Sequence, residues 1–138
     1  MKIFLSTFEV SPGLKRSRPI QSIQEEFLNE IRRSNFPFFD SGEFSSYERI
    51  FFEIEDSDVF VAFIDEYWTS STWKMIELYY ASGASPEKNN EFIKIPKKCL
   101  VLDYSNNQNI TSLIKKHLIS TFDGSFLEMK KLLNERKF

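Results

Sequence analysis

The chain has 138 residues, which is room for one domain, 1–138, with a real core. Its net charge of −2 and pI near 5.5 supply no basic footprint, so nucleic acid is not an expected partner. No apolar run is long enough to cross a membrane as a helix, and the opening residues 1–9 are too short in their apolar part and lack a cleavage-like site for a signal peptide. With a single cysteine, Cys99, which has no partner for an internal disulfide, a cytoplasmic location is expected. The single histidine, His117, builds no metal site by itself. Phe is abundant, with 15 copies against 4 Gly and 5 Pro, and this aromatic area belongs either to the core or to a partner face.

Residues 2–7 read as a short buried strand. Residues 9–19 read as a loop carrying the basic cluster Lys15, Arg16 and Arg18, a solvated loop or a diphosphate contact. Pro19 and Ser22 suit a helix start, and Ile20, Ile23, Phe27, Leu28 and Ile31 recur at helical spacing up to about residue 34. Residues 36–40 read as a second strand and 40–43 as a turn. A second helix is predicted over 46–55, with Tyr47, Ile50, Phe51 and Ile54 on one face.

Residues 59–64 form the most strand-like run of the chain, and Ser70 or Ser71 can cap a third helix reaching about residue 82. The polar, Pro-containing stretch 85–98 reads as an excursion. Residues 99–102 are a fourth strand ending at Asp103, 110–116 a fourth helix, 118–122 a weak fifth strand and 125–136 a last helix. Strand and helix alternate five times. That order calls for a parallel sheet with helical crossovers, and the expected architecture is α/β: a flavodoxin-like, doubly wound five-stranded parallel sheet of order 2-1-3-4-5.

In such a sheet, ligands bind at the C-terminal edge of the strands. Asp65 ends the central strand, a short polar loop follows, and Glu77 lies one turn inside the next helix. A solvated helical acid is the ordinary reading of such a glutamate. Its neighbours Ile76 and Leu78 are apolar and it follows the central strand closely, so Glu77 is taken as functional, in a cleft and partly exposed. A carboxylate there can stabilise an oxocarbenium-like centre or attack it. Trp73 shares its helix face; it and Tyr67 are either core or a stacking surface for a nicotinamide or nucleobase ring. Ser6, Thr7 and Phe8 reach the same edge. Asp40, Asp65 and Asp103 each mark a strand end, where Asp is also an ordinary turn former, so at most one or two act on a ligand. Cys99, inside a strand, reads as a small core residue. Neither common Gly-rich phosphate loop occurs.

The run Ser57-Asp-Val-Phe-Val-Ala-Phe-Ile-Asp-Glu-Tyr67, followed by Ser71-Thr-Trp73-Lys74-Met-Ile-Glu77-Leu78, resembles the signature of TIR (Toll/interleukin-1 receptor) domains. The opening Ile3-Phe-Leu-Ser6 is similar to the first strand of that family, and Phe39-Asp40 with the following turn and helix to its BB-loop region. The likeness in element order covers nearly the whole chain. In NAD+-cleaving TIR domains the glutamate of this motif is catalytic, so the resemblance implies that role for Glu77. It also implies release of nicotinamide, formation of ADP-ribose or a cyclic form of it, TIR–TIR contacts in a homo-oligomer, and service in bacterial anti-phage defence. NAD+ is then a substrate, and no cofactor is implied.

Asp58, Thr72, Glu77 and Tyr80-Ala81 also resemble the nucleoside 2-deoxyribosyltransferases, in which the matching glutamate is the nucleophile. Both likenesses converge on Glu77 and on an N-glycosidic bond. The leading expectation is a TIR-type NAD+ glycohydrolase or cyclase, with Glu77 catalytic and Ser6, Thr7, Phe8, Asp40, Asp65, Tyr67 and Trp73 binding substrate. The alternatives are a nucleoside 2-deoxyribosyltransferase and a non-catalytic TIR adaptor.

Overall fold

The structure, a computed structural model, describes residues 2–7, 18–34, 36–43, 46–65, 68, 71–83, 97–103, 118–122 and 131. Its elements in order are β1 (Ile3–Ser6), α1 (Arg18–Ser34), β2 (Phe38–Asp40), a 3₁₀ turn (Ser41–Glu43), α2 (Tyr47–Asp56), β3 (Val59–Ile64), α3 (Thr72–Ser82), β4 (Lys98–Asp103) and β5 (Leu118–Phe122). The fold is α/β. Four strands form a parallel sheet in the order β2-β1-β3-β4, with Ile3 opposite both Phe38 and Val59, and Val59 opposite Lys98. β5 lies beside β4, where the register shifts between Cys99 and Leu100.

The two-residue period of the strands sorts side chains onto two faces. Ile3, Leu5, Val59, Val61, Phe63 and Leu100 pack with Phe27 and Ile31 of α1 on one face. Phe4, Phe39, Phe60, Ala62, Ile64, Cys99 and Val101 pack with Ile50 and Ile54 of α2 and Leu78 and Ala81 of α3 on the other. β3 is buried on both faces along all six residues, as a central parallel strand must be. Aromatic rings supply much of this packing: Phe4 stacks on both Phe39 and Phe60 at 5.5 Å, and Phe27 meets Phe63 edge-on at 5.4 Å. The Phe-rich composition therefore goes largely into the core among the described residues, with Phe52 of α2 the one large apolar side chain exposed there, at 61%.

Local signals set the helix ends. Arg18 begins α1, so it belongs to the helix rather than to the predicted loop; Pro19 is tolerated in a first turn, where its missing N–H has no intrahelical partner to lose. In α3 the Ser71 hydroxyl accepts from the Lys74 N–H, and Gly83 closes the helix in the left-handed conformation at φ 71°. β1 and β2 are shorter than the sequence suggested. The fourth and last predicted helices, 110–116 and 125–136, fall outside the described residues apart from residue 131, which is helical.

The N-terminal edge of the sheet is tied by charge. The Lys2 ammonium binds Glu53 at 2.5 Å and Asp56 at 2.7 Å, both on α2, and the Lys2 N–H donates to Asp58 at 2.7 Å. These contacts anchor β1 and leave its other end to the site. Phe60 lies fully buried at the centre of the α2/α3 side. Truncation to Ala is expected to cost about 3–5 kcal/mol of folding stability, the usual range for losing a core Phe. Urea unfolding of Phe60→Ala against wild type measures it.

Candidate functional site

The site begins with strand alternation. Phe4 faces α2 and α3, so Ser6, two residues on, faces the same way at the end of β1. On α3, Lys74, Glu77, Leu78 and Ala81 are buried at spacings of three and four, which makes one stripe. Its C-terminal half is apolar and joins the core. Its N-terminal half carries a charge pair. The 3₁₀ turn after β2 adds Ser41, also buried.

These groups converge on the Glu77 carboxylate. The Ser6 hydroxyl donates to Oε2 at 2.6 Å and the Ser41 hydroxyl to the same oxygen at 3.4 Å. The Lys74 Nζ lies 3.2 Å from Oε2 and 3.3 Å from Oε1, and donates to Ser41 Oγ at 2.8 Å. Glu77 is 1% exposed, buried rather than partly open as expected from the sequence. Its position is the one the fold makes special. The chain leaves β1 toward β2 on one side and reaches β3 on the other, so the C-terminal end of β1 borders the topological switch point.

Burial disfavours a charge, and it is the strongest influence on Glu77, pushing its pKa above the ordinary 4.5. The Lys74 ammonium, then the hydrogen bonds from Ser6, Lys74 and Ser41, pull the other way. The Lys74 contacts are long for charge-assisted hydrogen bonds, which usually run ~2.7–2.9 Å. The ammonium is held more closely by Ser41. Among the described residues, Oε1 accepts only from Lys74 at 3.3 Å, and so it is the less committed oxygen.

Two further connections hold the edge together. Thr7 Oγ1 donates to Asp40 Oδ1, and the Gly42 N–H reaches both atoms at 3.0 Å. A Cβ on Gly42 would overlap Thr7 Oγ1, so glycine lets the turn that carries Ser41 dock on the end of β1. Asp65 accepts from the Trp68 N–H at 2.8 Å, a turn cap, and the buried Trp68 indole donates to the Ser6 carbonyl at 3.4 Å.

Of the predicted site residues, Ser6 and Glu77 are therefore in direct contact. Thr7 and Asp40 bind each other and brace the turn. Asp65 acts on Ser6 through Trp68. Trp73 is half-buried on α3, one turn before Glu77. Phe8, Tyr67, Lys15, Arg16 and His117 lie outside the described residues, while Asp103 is the last residue of β4. Sequence reasoning passed over Lys74 and Ser41. The signal for Lys74 was its spacing of three from Glu77 on a stripe that continues into Leu78 and Ala81. Ser41 gave none, because its partners are 33 and 36 residues away.

No family model, no curated protein and no solved structure matches this chain. Among the described residues no group of three or more His, Cys, Asp or Glu side chains could hold a metal ion, and no helix is long and apolar enough to cross a membrane. Cys99 is buried in β4, and burial pushes its thiol up to about 12, which suits a core residue and not a nucleophile.

The raised pKa of Glu77 carries a sign for stability. Between 4.5 and the raised value the folded state keeps a proton that the unfolded chain has released. The contribution of Glu77 is full below 4.5 and is lost as pH rises through the folded value. Glu77→Gln mimics the protonated acid in shape and charge. The variant is expected to match wild type in acid and to become the more stable protein as pH rises, until the difference levels off. Urea midpoints of both proteins across that range test this; a variant that falls below wild type with rising pH would mean that the ion pair outweighs the burial.

Proposed function

We propose that this chain is a TIR-type NAD+ glycohydrolase or cyclase, with Glu77 as its catalytic carboxylate. The observation that carries the reading is one buried acid beside the switch point of a parallel sheet, oriented by Ser6 at 2.6 Å. The motif resemblance around Trp73 and Glu77 names the substrate class. On this reading the whole chain forms a single flavodoxin-like, doubly wound domain of strand order 2-1-3-4-5 working in the cytoplasm, and its product serves as a signal in bacterial anti-phage defence.

In the reaction, the bond between nicotinamide and ribose breaks and its electron pair leaves with the base. Positive charge develops on the ribose. A fixed carboxylate in a dry site stabilises that charge more than it stabilises the ground state, which is what lowers the barrier. Oε1, the less committed oxygen, faces this task. Water then takes the ribose carbon to give ADP-ribose and a proton, or a nucleophile within the same molecule closes a ring. Ser6, with Thr7 and Asp40 behind it, fixes the edge against which the ribose rests; Trp73 offers a ring for a base, a role the sequence also suggests for Phe8 and Tyr67, which lie outside the described residues.

The transferase reading shares the acid but draws on Tyr80 as well. Tyr80 donates instead to Glu55 at 2.9 Å and stacks on Phe51 of α2 at 4.5 Å, which favours a packing role for it. A purely adhesive TIR module has no need of a buried carboxylate at this edge.

Glu77→Gln is expected to lower nicotinamide release by about a hundredfold or more, the usual cost of one lost electrostatic contact to a transition state. Release is compared at equal folded concentration, with products identified by mass after separate incubation with NAD+ and with deoxynucleosides. Equal rates refute the role of Glu77, base exchange on deoxynucleosides establishes the transferase, and no turnover of either leaves the adaptor.

A carboxylate 1% exposed needs its cover to open before a substrate can reach it. We tie that opening to homo-oligomerisation through the turn 40–44 and the adjacent helix α2, where Phe52 is exposed. Specific activity is then expected to rise with protein concentration as copies assemble. A dilute species shown by light scattering to be monomeric, yet turning over NAD+ at the full specific rate, would contradict it.

A further inference from the structure

We propose that Lys74 is a positioning residue for Glu77, orienting its carboxylate and keeping it ionised inside the buried site. The inference rests on the reading of Glu77 as the catalytic acid. A carboxylate closed off from water has two ways to exist: it takes up a proton, or it keeps an opposite charge beside it. Here Nζ spans both carboxylate oxygens, at 3.2 and 3.3 Å, from one helical turn away. The ammonium is itself almost buried, with 9% of the side chain exposed, so solvent screens the pair weakly. Ser41 fixes the ammonium at 2.8 Å, which sets where the charge stands.

Other charges on the elements around Glu77 are engaged elsewhere, those of α2 toward the opposite edge of the sheet. From α2, Glu53 binds Lys2 and Arg49, and Glu55 binds Tyr80. From β2, Asp40 binds Thr7 and the Gly42 N–H, and after β3, Asp65 caps Trp68. The groups facing Glu77 from β1 and the turn, Ser6 and Ser41, are neutral hydroxyls. Lys74 is the charge acting on Glu77 among the described residues, and it opposes the effect of burial.

The test follows the Glu77 side-chain carboxyl by carbon-detected NMR through a pH titration. In Lys74→Met the midpoint is expected to rise by at least a pH unit, a tenfold shift in the protonation equilibrium, while Lys74→Arg stays near wild type. The acid limb of nicotinamide release moves with it, so that Lys74→Met loses tenfold or more at neutral pH and recovers in alkali. A role limited to packing would change stability without moving either curve, and an unmoved midpoint in folded Lys74→Met overturns the proposal. If Lys74→Met does not fold, the double variant Lys74→Met with Glu77→Gln decides. A folded double variant upholds the electrostatic role, because removing the stranded charge restores the protein; an unfolded one overturns it. A shifted midpoint in a protein whose wild type releases no nicotinamide supports the electrostatic claim and sinks only the catalytic reading of Glu77. Turnover that needs Glu77 but an indifferent midpoint sinks only the role of Lys74.

Discussion

A single carboxylate taken out of water organises the C-terminal edge of this sheet. An ionised group buried without partners is among the most costly features a fold can hold. Glu77 is given four contacts from three separate segments: β1 through Ser6, the turn after β2 through Ser41, and α3 through Lys74. Each partner is itself constrained. Ser6 is held through its carbonyl by Trp68, whose turn is capped by Asp65. Ser41 sits on a turn that can approach only because residue 42 lacks a Cβ. Polar residues scattered along the chain become one connected network once the acid must be satisfied. No described buried side-chain polar atom is left without a partner.

The same stripe of α3 does two jobs. Leu78 and Ala81 bury apolar surface against β3, β4 and α2, while Lys74 and Glu77 sit where two more apolar residues would pack with less penalty. Replacing a buried ion pair by well-packed apolar side chains is often neutral or stabilising, so stability alone does not account for this one. The apolar packing of the fold lies in the stacked rings of Phe4, Phe39 and Phe60 and in a β3 buried on both faces. A local departure from the apolar pattern at a sheet edge is the kind of conflict that proteins keep at functional sites, and it is what the proposed reading of Glu77 draws on.

The parts of the fold visible in the sequence were those written in short-range periodicity. The run from Val59 to Ile64 is apolar at every position because both faces of β3 are covered, and that marks a central parallel strand without any partner in view. Ile50 with Ile54 and Phe27 with Ile31, each four apart, mark the inward faces of α2 and α1. Glu77 was legible because an acid between Ile76 and Leu78 breaks an apolar stretch. Its full burial was not, since a helical Glu is almost always wet. Lys74 was read past for the same reason: lysines face water by default, and this one turns inward to Glu77 three residues on and to Ser41, which arrives from 33 residues away. Asp65, an acid at the end of the central strand, was legible both as a ligand contact and as a turn former, and the structure shows one of its carboxylate oxygens accepting a backbone N–H three residues ahead, the ordinary work of a turn-forming Asp.

Burial that lowers stability is also what gives the acid leverage. In water, two unit charges 4 Å apart interact by about 1 kcal/mol, and the interaction grows severalfold as the surroundings become less polar. A carboxylate in a dry pocket can therefore act strongly on a positive centre that forms beside it, whereas the same group on an open helix face could not. The difficulty is that a dry carboxylate tends to take up a proton and so lose the charge that matters. A neighbouring ammonium solves the second problem while creating a third, because a tightly paired lysine would cancel the field. The observed geometry lies between these limits. Lys74 stands 3.2–3.3 Å from the carboxylate and closer, at 2.8 Å, to Ser41, near enough to favour the ionised acid and too far to bind it in two short hydrogen bonds. Ser41 tethers the ammonium at 2.8 Å, so its contacts to the carboxylate stay long, and on the proposed reading Oε1 is the oxygen that would meet a developing cation.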